Sequence, residues 1–295
     1  MASWSNIESL PEDCVSRILS CVSPPEACTF SLVSSTLRSA ADSDIVWKTF
    51  LPSDYEDIVS RAIHPSTLQF SSYKQLFFAL CHPLLLDGGN KSFELDKYSG
   101  KKSYILSARE LSIAWSSDPM IWAWKPVPES RFPEVVELRT VSWLEIEGRI
   151  KTGILTPNTL YGAYLIMNVS QRAYGLDFAP SEVSVAVGEK VHRRRACLGQ
   201  KDDKKRAMES LFYGNRREVL LMEEEEGEGI WVPRKRDDGW MEIEMGEFLS
   251  GEGDEEIKMS LKEVGYQLKG GLVLEGIQVR PKTCVSPKLC YLKNK

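Results

Sequence analysis

A search for chemistry in this chain starts with its histidines, cysteines and carboxylates, and none of them forms a working group. The three histidines, His64, His82 and His192, lie far apart, and none belongs to a His-Glu-x-x-His arrangement. No two cysteines form Cys-x-x-Cys. Cys284 and Cys290 have five residues between them and no second pair to complete a tetrahedral zinc site. Cys14, Cys21 and Cys28 recur every seven residues, but they flank or lie in short amphipathic stretches, where cysteine acts as a small buried hydrophobe. Burial is therefore expected for all three. No Gly-x-Ser-x-Gly elbow, phosphate loop or Gly-x-Gly-x-x-Gly fingerprint is present. Gly227-Glu228-Gly229 and Gly251-Glu252-Gly253 sit in acidic surroundings hostile to phosphate. A chain with 42 Asp and Glu supplies carboxylate pairs by chance. These residues predict no enzyme, no metal and no cofactor.

The aromatic residues offer a different chemistry. Trp115, Trp122 and Trp124 cluster, and Trp143 follows. A pyranose presents a face of C–H bonds that packs on the electronegative face of an indole. Carboxylates or amides beside the ring can then accept from its hydroxyls. Each tryptophan taken singly could instead fill a core, since large aromatics are highly buried on average.

Two textures must position these residues. Over residues 10–86 the apolar side chains recur at helical spacing. Val15, Ile18, Leu19 and Val22 form one stripe of a helix opened by Pro11, with Glu12 and Asp13 complementing its positive end. Ser23-Pro24-Pro25-Glu26 is a capping box that starts a second helix. A third helical stretch is predicted over residues 37–50, with more helix over 55–63 and 73–79. Asp87-Gly88-Gly89-Asn90 breaks the pattern as a turn or linker. Beyond it the period changes to two. Leu144, Ile146, Gly148 and Ile150 alternate with charged residues, as do Met241, Ile243 and Met245. Further strands are predicted over 160–169, 183–187 and 272–279, the last bent at Gly276. Many short strands separated by turns point to a β-sandwich or jelly roll.

The domain reading is therefore α+β: a helical unit over residues 1–51, a helical connector over 52–90, and an all-β sandwich over 91–295. A charged insertion over about 189–236 interrupts the sandwich. Residues 189–217 carry ten Lys or Arg against four Asp or Glu, and Glu223-Glu224-Glu225-Glu226 follows. Such blocks read as solvated loop. Arg193-Arg194-Arg195 and Lys204-Lys205-Arg206 could alternatively be a nuclear-import signal. The net charge of −5 argues against a dedicated nucleic-acid binder. No run of 18 apolar residues predicts a membrane span, and the first residues lack the pattern of a signal peptide. An odd number of cysteines at irregular spacing suits a reducing compartment, so the cytoplasm or nucleus is expected.

The order Leu10-Pro11-Glu12-Asp13, Ile18-Leu19, Leu32-Val33-Ser34, Trp47 describes a helical unit too small to bury its own apolar residues. Over residues 9–51 it resembles the F-box, the module of the substrate receptors of Skp–cullin–F-box ubiquitin ligases. The resemblance implies that Leu10, Pro11, Ile18, Leu19, Leu32 and Val33 dock a Skp-family adaptor, and through it a cullin. Pro24-Pro25 departs from the single proline of many F-boxes and alters only the turn between helices.

A second resemblance covers residues 102–282. It is carried by the segment from Ala108 to Trp115, by Trp122-Ala123-Trp124, Val136-Glu137-Leu138-Arg139, Val141-Ser142-Trp143-Leu144-Glu145-Ile146, the segment from Asp238 to Phe248, and Gly276-Ile277-Gln278-Val279-Arg280-Pro281-Lys282. These resemble the phloem protein 2 lectins. That likeness implies an N-acetylglucosamine site with two tryptophans seven apart, Trp115 and Trp122, and two acidic residues, Glu256 and Glu263. Together the resemblances imply an F-box receptor that presents a glycoprotein for ubiquitin transfer. Two alternatives stand beside it: a protein-binding receptor whose sandwich has lost sugar affinity, and a nucleocytoplasmic lectin with a vestigial F-box.

Overall fold

The computed structural model describes residues 10–65, 70–199 and 230–282. Pro11 sits at the N-cap of α1 (Glu12–Leu19), where its missing N–H leaves nothing unsatisfied. Ser23 caps α2 (Pro24–Phe30), and the Glu26 carboxylate reaches back to accept from the Ser23 backbone N–H at 2.8 Å and its hydroxyl at 2.7 Å. Those bonds hold the Glu26 carboxyl below its ordinary pKa. The stretch expected as one helix over 37–50 is two, α3 (Ser35–Asp42) and α4 (Asp44–Phe50). Ser43 separates them: it turns extended, and its hydroxyl accepts from the Ile45 N–H at 3.3 Å, so a cap competes with helix continuation. α5 (Tyr55–Ser60) and α6 (Tyr73–Leu80) complete the helices. Their core centres on Trp47, which is fully buried, donates to the Ala41 carbonyl at 2.7 Å and packs against Phe50, Phe77 and Phe78.

The sheet begins at β1 (Leu84–Leu86), inside the expected helical connector, which therefore ends before residue 90. Asp87-Gly88-Gly89 turns the chain into β2 (Lys91–Leu95), which runs antiparallel to β1, and Gly88 takes φ 69° there. The remaining strands are β3 (Lys102–Ser107), β4 (Ser112–Ile113), β5 (Trp122–Lys125), β6 (Val135–Leu138), β7 (Val141–Lys151), β8 (Thr159–Tyr174), β9 (Ser181–Val187), β10 (Lys190–Ala196), β11 (Arg234–Lys235), β12 (Met241–Ser250) and β13 (Glu256–Pro281). One layer is ordered β1-β2-β3-β13-β8-β12-β11, and the other runs through β10, β9, β13, β7 and β4. β13 belongs to both. Its first half pairs with β7 and β9, and its second half with β3, β6 and β8, so the sheet curls over itself into a jelly-roll-like sandwich.

The expected bend at Gly276 is a bulge between Leu274 and Gly276 in the pairing with β8. A Cβ there would lie 2.0 Å from the Leu106 carbonyl oxygen, so only glycine lets the strands close. A larger irregularity falls between Val264 and Lys269, where four exposed residues leave the ladder.

One expectation needs correcting. The charged insertion over 189–236 is not loop throughout. Lys190–Ala196 is edge strand β10, joined to β9 by a two-residue turn with Gly188 at φ 56°. Lys204-Lys205-Arg206, Glu223–Glu226, Cys284 and Cys290 lie outside the described residues.

Helices and sandwich share one continuous apolar core. Arg61 grips Asp87 with two hydrogen bonds, at 3.0 and 2.9 Å. Lys102 meets both oxygens of Asp54 at 2.9 and 2.8 Å, and the Ile63 N–H donates to the Leu85 carbonyl at 3.0 Å.

Candidate functional site

On the F-box side, the α1 stripe points inward with Val15 and Leu19, the latter 1% exposed. Ile18, expected in that stripe, is turned out, and Leu10 and Pro11 are exposed with it. Leu32 and Val33, in the turn between α2 and α3, are 77% and 66% exposed. Five of the six residues assigned to adaptor docking thus lie on the surface. Leu19 does not: it is core, and its position in the motif reflects folding of the unit. Phe30 and Ile45 add exposed apolar surface that the pattern did not single out. Cys14 and Cys21 are exposed and Cys28 is half-buried, contrary to the burial expected of them. Cys14 precedes inward-facing Val15 by a single residue, which turns it off the buried stripe.

In the sandwich, β5 carries Trp122 and Trp124, which pair across to Leu138 and Val136 of β6. The Trp122 indole N–H donates to the Ala114 carbonyl at 2.9 Å, and that of Trp124 to the Ser116 carbonyl at 3.1 Å. Two rings two apart on a strand thereby grip two carbonyls two apart on the preceding loop. The residue between those carbonyls is Trp115. It is forced to φ 64°, a region costly for a bulky L-residue, and its ring is 60% exposed. The Ala114 N–H donates to the Glu145 carbonyl at 3.0 Å and the Asp118 N–H to the Trp115 carbonyl at 2.9 Å, which close the turn on both sides.

Next to this turn lies a cleft of about 520 Å³ lined by Arg109, Ser116, Ser117, Pro119, Trp122, Ala123, Trp124 and Arg139. The two carried-over tryptophans therefore differ. Trp115 is an exposed ring on the turn beside the cleft and is not among the residues that line it. Trp122 lines the cleft but is only 2% exposed, and its indole holds the turn in place. The expectation that both flank the cleft as open stacking surfaces is corrected accordingly.

The glutamates do not join them. Glu256 and Glu263 stand seven apart on one continuous strand, and an odd separation puts them on opposite faces. The outward one, Glu256, meets Arg149 at 3.3 Å in a ladder of surface ion pairs with Glu147, Lys258 and Lys151–Asp254. The inward one, Glu263, is buried beside fully buried Lys269 at 3.1 Å and accepts from the Ser181 hydroxyl at 3.2 Å. Burial pushes its pKa up, against the pull of Lys269 and Ser181. Neither lines the cleft. Trp143 is half-exposed on the outer face, where its indole donates to Glu145 at 3.1 Å.

What sequence reasoning missed are the two arginines. Arg109 lies over the Trp124 ring, 3.5 Å from its centroid, and is held by Glu134 at 2.5 Å. The backbone of Arg139 is fixed by donation to the Ile121 carbonyl at 2.7 Å and by the Tyr174 hydroxyl, which donates to its carbonyl at 3.1 Å. Both arginines stand inside segments that carry the resemblance, Ala108-Arg109-Glu110 and Val136-Glu137-Leu138-Arg139, and that was the available signal.

Comparison with known proteins follows the same division. The phloem protein 2 pattern matches residues 101–281, and the F-box domain pattern matches residues 7–49. The chain belongs to the phloem protein 2 family. Its relatives are F-box proteins by name: it is 50% identical over 279 residues to F-box protein PP2-B15 of Arabidopsis thaliana, covering 92% of this chain and 96% of that one. It is 48% identical over 280 residues to F-box protein VBF of the same organism, covering 93% and 99%. Among solved structures, a family 35 carbohydrate binding module from Clostridium thermocellum overlaps 60% of this chain and 96% of its own, with TM-score 0.31 and 10% identity. This is an F-box protein with a phloem protein 2 lectin-like sandwich.

Proposed function

We propose that the chain is the substrate-receptor subunit of a Skp–cullin–F-box ubiquitin ligase, whose sandwich captures a glycosylated protein. The observation that carries the reading is Trp115: a large ring held exposed, on costly backbone, in the turn whose next residue, Ser116, lines a cleft that also holds Trp122 and Trp124. Folding alone gains little from such a ring, whereas a sugar face stacks on it. At the other end, Leu10, Pro11, Ile18, Leu32 and Val33 supply apolar anchors for the adaptor, which bridges to the cullin. Such a receptor does no covalent chemistry. It raises the effective concentration of the captured protein near the ubiquitin donor.

A second reading, a receptor that recognises protein without sugar, is favoured by the absence of Glu256 and Glu263 from the cleft. Two assays on the full chain test the proposal: co-purification with a Skp-family adaptor, and a glycan array. Adaptor capture with array binding that Trp115→Ala abolishes is the expected result. Adaptor capture without any glycan signal would favour the second reading, and no adaptor capture would remove the ligase role.

A further inference from the structure

The cleft has the wrong polarity for the ligand that the family likeness implies. A neutral N-acetylated sugar is fixed by acceptors, typically carboxylates that take its hydroxyl protons. Here the charged side chains of the lining are Arg109 and Arg139, and among the described residues no carboxylate lines it. The acids nearby are committed elsewhere. Glu134 holds Arg109, Glu137 meets Lys125 at 2.6 Å, and Asp118 accepts from the Met120 N–H at 2.8 Å.

Arg109 is held by its side chain and Arg139 by its backbone. Arg109 is immobilised between the Trp124 face and Glu134, which takes one terminal nitrogen and leaves the rest of the fork to the cleft. Arg139 is placed by its backbone on three sides: the Ile121 carbonyl, the Tyr174 hydroxyl, and the close approach of Gly270, where a Cβ would lie 2.4 Å from the Arg139 carbonyl oxygen. Among the described residues its guanidinium meets no acceptor. A guanidinium with a free fork matches a carboxylate in bidentate geometry better than any neutral acceptor. Ser116 and Ser117 add hydroxyls that donate or accept toward ring hydroxyls. The volume falls inside the range of about 300–1,000 Å³ usual for small-ligand sites.

Resting on the lectin reading above, we infer that the cleft binds an acidic saccharide of the uronate class, whose carboxylate is held by Arg139 and Arg109. The charge makes the preference for acid over neutral ligand sensitive to salt, since the arginines lie at the surface.

Calorimetric titration of the full chain with trigalacturonate, its trimethyl ester and tri-N-acetylchitotriose tests this, because the ester keeps the rings and removes the charge. Trigalacturonate should bind at least about tenfold more tightly than its ester, with that ratio shrinking at high salt. Arg139→Gln should abolish the preference without lowering the melting temperature, and Arg139→Lys should keep part of it. Equal affinity for acid and ester, or an undiminished preference in Arg139→Gln, overturns the inference. Chitotriose binding with no acid preference sinks the uronate assignment and leaves the lectin reading standing. No saccharide binding at all sinks both. Tetraglutamate binding as tightly as trigalacturonate would show an acidic-peptide site and overturn the saccharide class.

Discussion

Two tryptophans seven residues apart should respond to truncation in opposite ways. Trp122 is buried against β6 and donates to the Ala114 carbonyl. Trp122→Ala removes its packing, a cost of about 3–5 kcal/mol for a core aromatic. It also leaves the Ala114 carbonyl without its partner. At roughly 2–4 °C per kcal/mol for a chain in this size range, the melting temperature should fall by about 6–20 °C. Trp115 stands on left-handed backbone that costs an L-residue about 1–2 kcal/mol, and most of its ring faces water. Trp115→Gly relieves that strain while adding about 0.5–1 kcal/mol of backbone entropy cost, so stability should stay within about 1 kcal/mol of the parent. The assay is thermal unfolding by circular dichroism, run beside saccharide binding. Trp115→Gly should lose binding and keep its melting temperature, and Trp122→Ala should lose both. Trp122→Phe, which keeps a ring but not the N–H, should fall between. A Trp115→Gly that melts as early as Trp122→Ala would refute the division into exposed ring and support.

Other outcomes can be checked directly. Leu32→Asp with Val33→Asp should remove adaptor binding at unchanged melting temperature, because both side chains are exposed, whereas Leu19→Ala should destabilise by about 2–5 kcal/mol; co-purification and thermal melts separate the two. Hydrogen bonds from Arg61 hold the Asp87 carboxyl below its ordinary value of 3.8, so its contribution is present above that unfolded value and lost as pH falls through the folded one. Asp87→Asn should therefore flatten the acid limb of stability below about pH 4, and a limb of unchanged slope in denaturant titrations would count against the Arg61–Asp87 tie. Glu263→Gln leaves buried Lys269 without its countercharge, which should cost about 3–5 kcal/mol, while Glu263→Leu combined with Lys269→Met should cost clearly less by chemical denaturation.

Some of this could be read from the residues and some could not, for physical reasons. β7 and β12 were legible because one face is buried and one wet, so burial writes a period of two into the sequence. The capping box of α2 was legible because it is local chemistry. β10 was hidden. It is an edge strand whose residues are mostly exposed, so its composition reports solvent and its structure is set by backbone pairing with β9. Spacing could pair Trp115 with Trp122 but could not tell exposed ring from support, because that distinction depends on which carbonyls the indoles reach. The glutamates were a different failure: Glu256 and Glu263 differ by an odd number on a strand, and parity alone places them on opposite faces.

Under the proposed function, the join between helices and sandwich becomes a working part. A receptor on a flexible linker would present its captured protein over a broad range of positions. Here the connector is short of freedom. Arg61–Asp87 and Lys102–Asp54 cross the join, the Ala62–Leu86 bridge continues the sheet into it, and Gly100 lies so close to the Phe50 carbonyl that a Cβ would stand 2.9 Å from it. Gly100 also takes φ 67°, so a side chain there would be strained as well as crowded. The adaptor-facing ridge and the tryptophan-lined cleft are therefore carried by one core, and the distance between them is set by packing. Selection among lysines of a captured protein would then follow from where its glycan sits, since the receptor itself has little room to adjust.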